Sequence, residues 1–280
     1  LKEDGRLYEQ SVLVHSYPFC PRSDTPLIYK AIPSWFIKVE SFKDKLMANN
    51  EDIHWVPEHI QHGRFGKWLA NARDWAISRN RVWGTPMPIW VNDVTGQTHC
   101  MGSKEELETR CDVTLTDLHR EHVDGLTFEN PGEEGVYRRI TDVLDCWFES
   151  GSMPYAQMHY PFENEQKFKT NFPADFIAEG VDQTRGWFYT LHAIATMVFD
   201  SVAYKNVVSN GLVLDKNGHK MSKRLGNATD PFTTLSTYGA DATRWYMISN
   251  ANPWDNLKFD LEGIEEVKRK FFGTLYNTYS

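Results

Sequence analysis

Short apolar runs alternate with amphipathic stretches after residue 140, and this alternation constrains the fold more than any other feature. Residues 175–178 and 206–215 hold short apolar runs typical of strands. The stretch from about Gln183 to Phe199 has an apolar face typical of a helix, which Asp182 would cap. Strands that alternate with helices predict an α/β fold with a parallel, doubly wound sheet.

Ligands of such a sheet bind beyond the carboxyl ends of its strands. Glu179 follows the first predicted strand, and Asn210 lies at the end of the run 206–210. We expect both residues to face one crevice. Asp230-Pro231 and Gly239-Ala240-Asp241 predict the starts of two further helices, the first with proline at its first position.

The first half of the chain is less regular. Residues 11–40 alternate apolar runs with proline and aspartate turns, which predicts strands and loops. Residues 57–80 show a helical period, with an apolar face formed by Ile60, Phe65, Trp68, Leu69, Ala72 and Ala76. Residues 92–142 are polar and rich in turns, which indicates an insertion peripheral to the main core.

The composition excludes several classes of protein. An apolar share of 41% allows a packed core, and a net charge of −8 argues against a module that binds nucleic acid through a basic surface. Four cysteines without a CxxC pair predict a reducing compartment and no zinc site. The longest apolar stretch, from Leu191 to Phe199, is too short for a membrane span. The first residues read as a cut within a longer polypeptide.

Three segments carry residues suited to chemistry. The loop from Asp215 to Arg224 places three cations among the five residues 220–224, which suits binding of phosphate groups or simply a solvated basic loop. The segment Glu179–Phe188 puts two carboxylates at the end of a strand, where they could hold a ligand ammonium or ribose hydroxyls. A helix cap beside an exposed glutamate would explain them equally well. Trp147, in DVLDCWFESG, is either a pocket wall or a core residue.

Taken together, these segments resemble the isoleucyl-tRNA synthetases, a branch of the class I aminoacyl-tRNA synthetases. The resemblance covers residues 11 to 265 and rests on HSYPFC (15–20), TPLIYKAIPSWF (25–36), DWAISRNRVWG (74–84), DVLDCWFESG (142–151), EGVDQTRGWF (179–188) and KMSKR followed by LGN (220–227). It is weakest between residues 92 and 140. The implied fold is the second half of a Rossmann-like catalytic domain with a small peripheral insertion.

The resemblance also implies residue roles. In that family the lysines that match Lys220 and Lys223 stabilise charge on the triphosphate as pyrophosphate leaves. Glu179 would contact the aminoacyl-adenylate, and Asp182 and Gln183 would hold its polar groups. Trp147 and Trp187 would form opposite walls of the amino-acid pocket. The ATP and adenylate site would also include Gly180, Asn210, Gly211 and Lys223.

The implied reaction is ATP-dependent activation of isoleucine, followed by transfer to tRNA(Ile), with Mg²⁺ accompanying ATP. The tRNA is expected to bind mainly through regions outside this chain. A cytoplasmic location and membership of a multi-synthetase complex would follow for the parent protein. The expected division is 1–35 as the return segment from an editing insertion, 36–91 and 141–255 as catalytic domain, 92–140 as peripheral insertion, and 256–280 as the start of a helical anticodon-binding region.

The sequence departs from the family in three places. The first class I signature, HIGH-like, does not occur, so we expect an incomplete ATP site and an impaired fragment. Only a return strand of the editing insertion is expected, at residues 1–14. Ser23 replaces a cysteine that many relatives carry, and the insertion offers only Cys100 and Cys111, so no metal is predicted.

Two alternative functions remain open from the sequence. The first is a valyl-type synthetase, which the GVDQTRGWF string disfavours. The second is a non-catalytic scaffold or pseudo-synthetase, which the intact loop with Lys220 and Lys223 and both tryptophans disfavour.

Asn210 stands where bacterial-type relatives often have histidine, which favours a eukaryotic-like lineage.

Overall fold

The computed structural model describes residues 2–20, 23–222 and 225–280, in two compact units, Leu1–Ser34 and Trp35–Ser280. In the first unit, the only β-pairing among the described residues is the bridge between Phe19 and Pro26. The strands predicted between residues 11 and 34 are therefore wrong. Apolar side chains such as Val12 and Ile28 are exposed, so no buried sheet face forms there.

The second unit contains the regular elements. The strands are β1 (Phe36–Ile37), β2 (His54–Val56), β3 (Trp75–Ala76), β4 (Ser78–Arg79), β5 (Ile89–Asn92), β6 (Thr98–Cys100), β7 (Thr127–Phe128), β8 (Tyr137–Arg139), β9 (Val143–Leu144), β10 (Ile177–Gly180), β11 (Asn206–Asn210), β12 (Val213–Leu214) and β13 (Leu257–Lys258). The helices are α1 (Lys43–Asn50), α2 (Gly66–Ala70), α3 (Lys104–Cys111), α4 (Arg120–Val123), α5 (Cys146–Gly151), α6 (Met153–Ala156), α7 (Glu165–Asn171), α8 (Trp187–Phe199), α9 (Pro231–Tyr238), α10 (Ala240–Ser249), α11 (Leu261–Val267) and α12 (Gly273–Tyr279).

A parallel sheet of three strands, in the order β10-β11-β2, positions the residues of interest. It confirms the predicted parallel α/β arrangement. Strand β10 starts at Ile177, two residues later than predicted. It is the outer strand of the sheet, and Ala178 is exposed rather than buried. The prediction of a fully buried strand at 175–178 was therefore wrong.

Helix α8 packs against this sheet and forms the centre of the main core. Every residue from Phe188 to Thr196 is buried. The Phe188 ring lies 5.8 Å from that of Trp55 on β2, and the Trp55 ring lies 4.7 Å from that of Phe65. A helix buried this completely explains why its sequence is apolar on most of its circumference rather than on one stripe.

The helix predicted for residues 57–80 ends at Ala70. Beyond it, Trp75 pairs with Ile37 and Ser78 pairs with Leu144, so this part of the chain forms strands β3 and β4. The helical spacing of apolar residues continues to Ala76, but pairing with distant strands decides the structure of this part of the chain.

Residues 89–139 form a second core with its own cluster of buried residues. Four antiparallel strands, in the order β6-β5-β8-β7, cover a cluster of buried residues: Trp90, Met101, Leu107, Leu115, Val123, Phe128 and Tyr137. The Phe128 and Tyr137 rings stack at 4.6 Å. This segment therefore has the means to fold around its own apolar contacts.

The two helix starts predicted near the end of the chain are confirmed. The Asp230 side chain accepts hydrogen bonds from the backbone N–H groups of Phe232 and Thr233, with Pro231 at the first position of α9. Helix α10 begins at Ala240 and packs against α11. Tyr246 and Ile264 lie in the small core between them.

His192, in the middle of α8, is a buried titratable group. Its Nε2 donates to the Leu46 carbonyl at 2.8 Å, which assigns the tautomer, and its Nδ1 has no hydrogen-bond partner. Burial lowers the pKa of His192 to about 4 from an ordinary value of 6.5. The ring is therefore neutral in the folded protein at neutral pH, because a charge there would be desolvated.

This assignment predicts the pH dependence of stability. As pH falls from about 6.5 to about 4, the unfolded chain gains a proton at His192 that the folded chain does not, so the free energy of unfolding decreases by up to roughly 3 kcal/mol. Above that window His192 contributes no pH dependence. The variant His192→Gln, measured by urea unfolding at several pH values, should lose this part of the slope. The exposed control His62→Gln should keep it, and equal slopes in both variants would contradict the assignment.

Candidate active site

The carboxyl ends of β10 and β11 bring four of the predicted site residues together. In the parallel register Glu179 lies opposite Ser209, and Gly180 lies opposite Asn210, with Gly211 following directly. Glu179 and Asn210 thus lie at the same carboxyl end of the sheet, but their side chains alternate onto opposite faces. That both face one crevice stays a prediction. The edge can present polar groups to a ligand from both sides.

The backbone at this edge is tightly packed. A Cβ atom on Gly211 would lie 2.1 Å from the Asp255 carbonyl oxygen, so only glycine fits there. The hydroxyl of Ser209 is buried and has no hydrogen-bond partner in the structure. A polar ligand with donors and acceptors, such as a nucleotide, fits this combination of exposed carboxylate, amide and close backbone.

Gln183, rather than Asp182, caps helix α8. Residues Val181–Arg185 form a turn of 3-10 helix, and α8 begins only at Trp187. The Gln183 Oε1 accepts from the Trp187 backbone N–H at 2.8 Å. Asp182 is exposed and makes no cap, so that prediction was wrong. The reason is that the 3-10 turn shifts the start of the helix by four residues beyond Gln183.

The two predicted wall tryptophans lie on adjoining helices. Trp147 is on α5 and Trp187 is the first residue of α8, and the Trp187 Nε1 donates to the Ser150 carbonyl at 3.0 Å. Gly186 lies beside both: a Cβ atom there would lie 3.1 Å from Cη2 of Trp147 and 2.7 Å from Oε1 of Gln183. Trp147 is 41% exposed, so its indole borders solvent rather than the core.

Asp145 is a buried carboxylate that the sequence analysis did not single out. Its Oδ2 lies 3.0 Å from Nη2 of Arg79 and accepts from Nε1 of Trp75 at 3.2 Å. Its backbone N–H donates to the Ile77 carbonyl at 2.7 Å. Asp145 thus fixes the start of α5, two residues before Trp147, onto the strands of the 74–84 segment. Its position within the DVLDCWFESG segment was the available signal.

Lys220 lies on the loop after β12 and is exposed. A β-bridge pairs its backbone with Leu214, and so places it close to the end of that strand. Lys223, the second predicted catalytic lysine, lies outside the described residues. The structure therefore places one of the two lysines, on a loop that begins at Asp215, four residues after Gly211.

A cavity of about 920 Å³ adjoins the α5 end of this region. Its lining includes Arg79, Arg81, Trp83, Asp117 and Glu149. The Trp83 ring stacks on His119 at 4.8 Å. Hydrogen bonds from the backbone and ring of His119 hold the pKa of Asp117 below its ordinary value. The groove thus carries cations, anions and an aromatic face together.

A model of the family described as tRNA synthetases class I (I, L, M and V) matches residues 4–260 of the chain. The chain therefore belongs to this family of class I tRNA synthetases. Among curated relatives, it is 54% identical to the isoleucine–tRNA ligase of Cytophaga hutchinsonii, 57% to that of Protochlamydia amoebophila and 53% to the cytoplasmic isoleucine–tRNA ligase of Mus musculus. Each alignment covers 100% of this chain, and these identities confirm the resemblance to isoleucyl enzymes.

The chain spans only about a quarter of the length of these relatives: 26%, 27% and 22% respectively. Bacterial and mouse relatives are similar to it at nearly the same level, so these identities do not separate the lineages.

Solved structures of the same class share the fold. Methionyl-tRNA synthetase of Mycobacterium tuberculosis, in complex with methionyl-adenylate, superposes with a TM-score of 0.63 over 95% of this chain and 43% of its own, at 17% identity. A LeuRS of Agrobacterium radiobacter K84, in a ternary complex with tRNA and LeuAMS, gives 0.56 over 74% of this chain and 28% of its own, at 21% identity. Together with the parallel sheet, these likenesses confirm the predicted Rossmann-like α/β class.

Two further predictions concern absences. No helix in the described parts of the chain is long and apolar enough to cross a membrane. Within the same residues, no three His, Cys, Asp or Glu side chains lie together as metal ligands. The absence of zinc stays a prediction.

The environment of Asp145 predicts the effect of its removal. Asp145→Leu leaves the Trp75 indole N–H without its acceptor and Arg79 without its ion pair, which should destabilise the fold by about 1–3 kcal/mol. Asp145→Asn should cost less, because its amide oxygen can still accept from Trp75. Urea unfolding measures the loss of stability in both variants, provided that the m-value is the same as in wild type. Asp175→Asn, at a carboxylate 90% exposed, is the matched control and should change nothing measurable. A leucine variant as stable as wild type would contradict the role of Asp145.

Proposed function

We propose that the natural full-length polypeptide carrying this chain is an isoleucine–tRNA ligase, and that these residues supply its amino-acid pocket and its pyrophosphate-handling loop. The observation that carries the proposal is the pair of tryptophans on α5 and α8, set beside the carboxyl edge of the parallel sheet. The names of the relatives, isoleucine–tRNA ligases over the whole chain, support the same substrate.

The pocket suits a branched aliphatic side chain. The indole N–H of Trp187 is already bonded to the Ser150 carbonyl, so the ring offers its substrate apolar surface only. Trp147 offers a second aromatic surface across Gly186. A pocket lined by apolar surface binds the isoleucine side chain by burying apolar area, which contributes about 25 cal/mol per Å².

The carboxyl edge of the sheet would hold the polar part of the adenylate. Glu179 and Asp182 are exposed carboxylates suited to the ammonium group and to hydroxyls. Gly180, Asn210 and Gly211 would complete the nucleotide site, through the Asn210 amide and the backbone of the two glycines. The Gln183 oxygen is taken by the Trp187 N–H, so its contribution would come from its Nε2 donor.

Lys220 and Lys223 would stabilise the charge that develops on the triphosphate as pyrophosphate leaves, through electrostatics alone and without a nucleophilic side chain. Mg²⁺ would accompany ATP. The sequence has no HIGH-like signature, so the groups that bind the ATP phosphates in this family would be supplied from outside these residues.

The remaining assignments belong to the same proposal. The groove lined by Arg79, Arg81 and Trp83 would receive the acceptor end of tRNA(Ile), while most tRNA contacts would lie elsewhere. We also propose the division into domains expected from the sequence, in which residues 1–35 are the return segment from the editing insertion. A cytoplasmic location and a place in a multi-synthetase complex complete the proposal.

The test is amino-acid-dependent ATP–pyrophosphate exchange by the natural full-length polypeptide. Isoleucine should support exchange with a higher kcat/KM than valine, by about 10- to 200-fold. One methylene in an apolar pocket is worth about 1–3 kcal/mol, and discrimination of isoleucine from valine by isoleucyl enzymes is itself a known example within this range. Preference for valine would indicate a valyl-type synthetase. No exchange with any amino acid would point to a non-catalytic scaffold.

Pocket variants locate the activity. Trp147→Ala should raise the KM for isoleucine by roughly 10- to 100-fold, because apolar contact worth about 1.5–3 kcal/mol is lost. Trp245→Ala, which removes an indole of similar exposure (38% against 41%) on α10, is the matched control and should leave KM unchanged. Equal KM values for the two variants would contradict the placement of the pocket.

A further inference from the structure

The loop that carries Lys220 is closed by a set of hydrogen bonds centred on Asp215. The Asp215 Oδ1 accepts from the backbone N–H groups of Asn217 at 3.0 Å and His219 at 2.8 Å. Its own N–H donates to the His219 carbonyl at 2.9 Å. The side chain is only 14% exposed. One half of the Asp215 carboxylate thus fixes the turn that leads into Lys220.

The other half of the carboxylate reaches across the loop to Asn227. Asn227 Nδ2 donates to Asp215 Oδ2 at 3.0 Å and to the Lys220 carbonyl at 3.2 Å. Its Oδ1 accepts from the Ser222 backbone N–H at 2.9 Å. A single amide therefore holds the backbone on both sides of Met221 and ties it to the residue that follows β12.

The charge state favours this arrangement. The His219 backbone N–H and the Asn227 amide lower the pKa of Asp215 from its ordinary value of 3.8, so the carboxylate is ionised at neutral pH. Hydrogen bonds to an ionised acceptor are stronger than those between neutral groups. The pair is thus able to hold the loop through hydrogen bonds to an ionised group.

We propose that Asp215 and Asn227 form a clasp that positions Lys220 for its action on the phosphate groups of the substrate. Both are positioning residues, because they act through the backbone of Lys220 and not on the substrate. The role rests on the proposed function. A mobile lysine stabilises developing charge only when its backbone is held where that charge appears, because a misplacement of about 1 Å can lower a rate by about 100-fold.

The two side chains can be exchanged without changing net charge. Asn227→Asp places two carboxylates in contact and removes the donor. In Asp215→Asn, the new amide oxygen can keep the bonds to the Asn217 and His219 N–H groups. Its NH₂ group then points at the NH₂ group of Asn227, so two donors face each other. The double variant Asp215→Asn with Asn227→Asp restores the bond in the opposite direction. Of the contacts described above, it loses only the one to the Lys220 carbonyl.

The experiment uses the natural full-length polypeptide and two measurements. The first is kcat for isoleucine-dependent ATP–pyrophosphate exchange. Each single variant should lower it about 10- to 100-fold with little change in the KM for isoleucine, and the double variant should recover about 10-fold. The second is hydrogen–deuterium exchange of the amides between Asn217 and Ser222, which should accelerate in each single variant and slow again in the double variant.

Asn130→Asp is the matched control, because Asn130 Nδ2 also donates to a carboxylate, that of Glu133, at 3.0 Å. It should change neither measurement. Unchanged amide exchange in the single variants would overturn the clasp, whatever the activity. Accelerated exchange with normal kcat, or a double variant no better than the single variants, would overturn its role in positioning Lys220. A wild type without isoleucine-dependent activity would refute the proposed function by itself, and the amide exchange would still test the clasp.

Discussion

The burial of helix α8 from Phe188 to Thr196 is the constraint on which the rest of the second unit depends. Each residue from Phe188 to Thr196 is buried, and burial keeps even His192 neutral at neutral pH. A helix enclosed in this way has one allowed position, because a densely packed interior does not tolerate shifts of its members. Its first residue, Trp187, is consequently fixed in space.

The candidate pocket follows from that fixed helix start. Gln183 caps α8, Gly186 leaves room for the Trp147 ring, and the indole N–H of Trp187 donates to the Ser150 carbonyl on α5. Asp145 holds the other end of α5 to Arg79 and Trp75. The aromatic surfaces are thus held from both sides by buried polar contacts, which is what a site of defined shape requires. The loop that carries Lys220, by contrast, is held by the side-chain hydrogen bonds of Asp215 and Asn227.

The sequence predicted those parts of the fold in which local pattern and tertiary structure agree. Asp230-Pro231 starts a helix as expected, and 206–210 forms a parallel strand. It failed where distant pairing decides the structure, since Trp75 and Ala76 join strand Phe36–Ile37 in spite of their helical period.

The site residues were found through segment resemblance, which locates them along the chain but gives no contacts. The cap at Gln183 joins residues four positions apart, and the bonds of Asp145 to Arg79 and Trp75 join residues 66 and 70 positions apart. Neither could be read from the sequence without coordinates.

The most direct test of this account is the affinity of the natural full-length polypeptide for a non-hydrolysable isoleucyl-adenylate analogue, with Gly186→Ala as the variant. A methyl group at Gly186 would displace the Gln183 side chain and press on Trp147. The account predicts that wild type prefers the isoleucyl to the valyl analogue and that Gly186→Ala weakens binding at least about 10-fold, a loss of ~1.4 kcal/mol. Gly125→Ala, where the methyl group meets no atom within 4 Å, should bind as wild type does. Equal affinity in wild type and Gly186→Ala would contradict the claim that the start of α8 builds the amino-acid pocket.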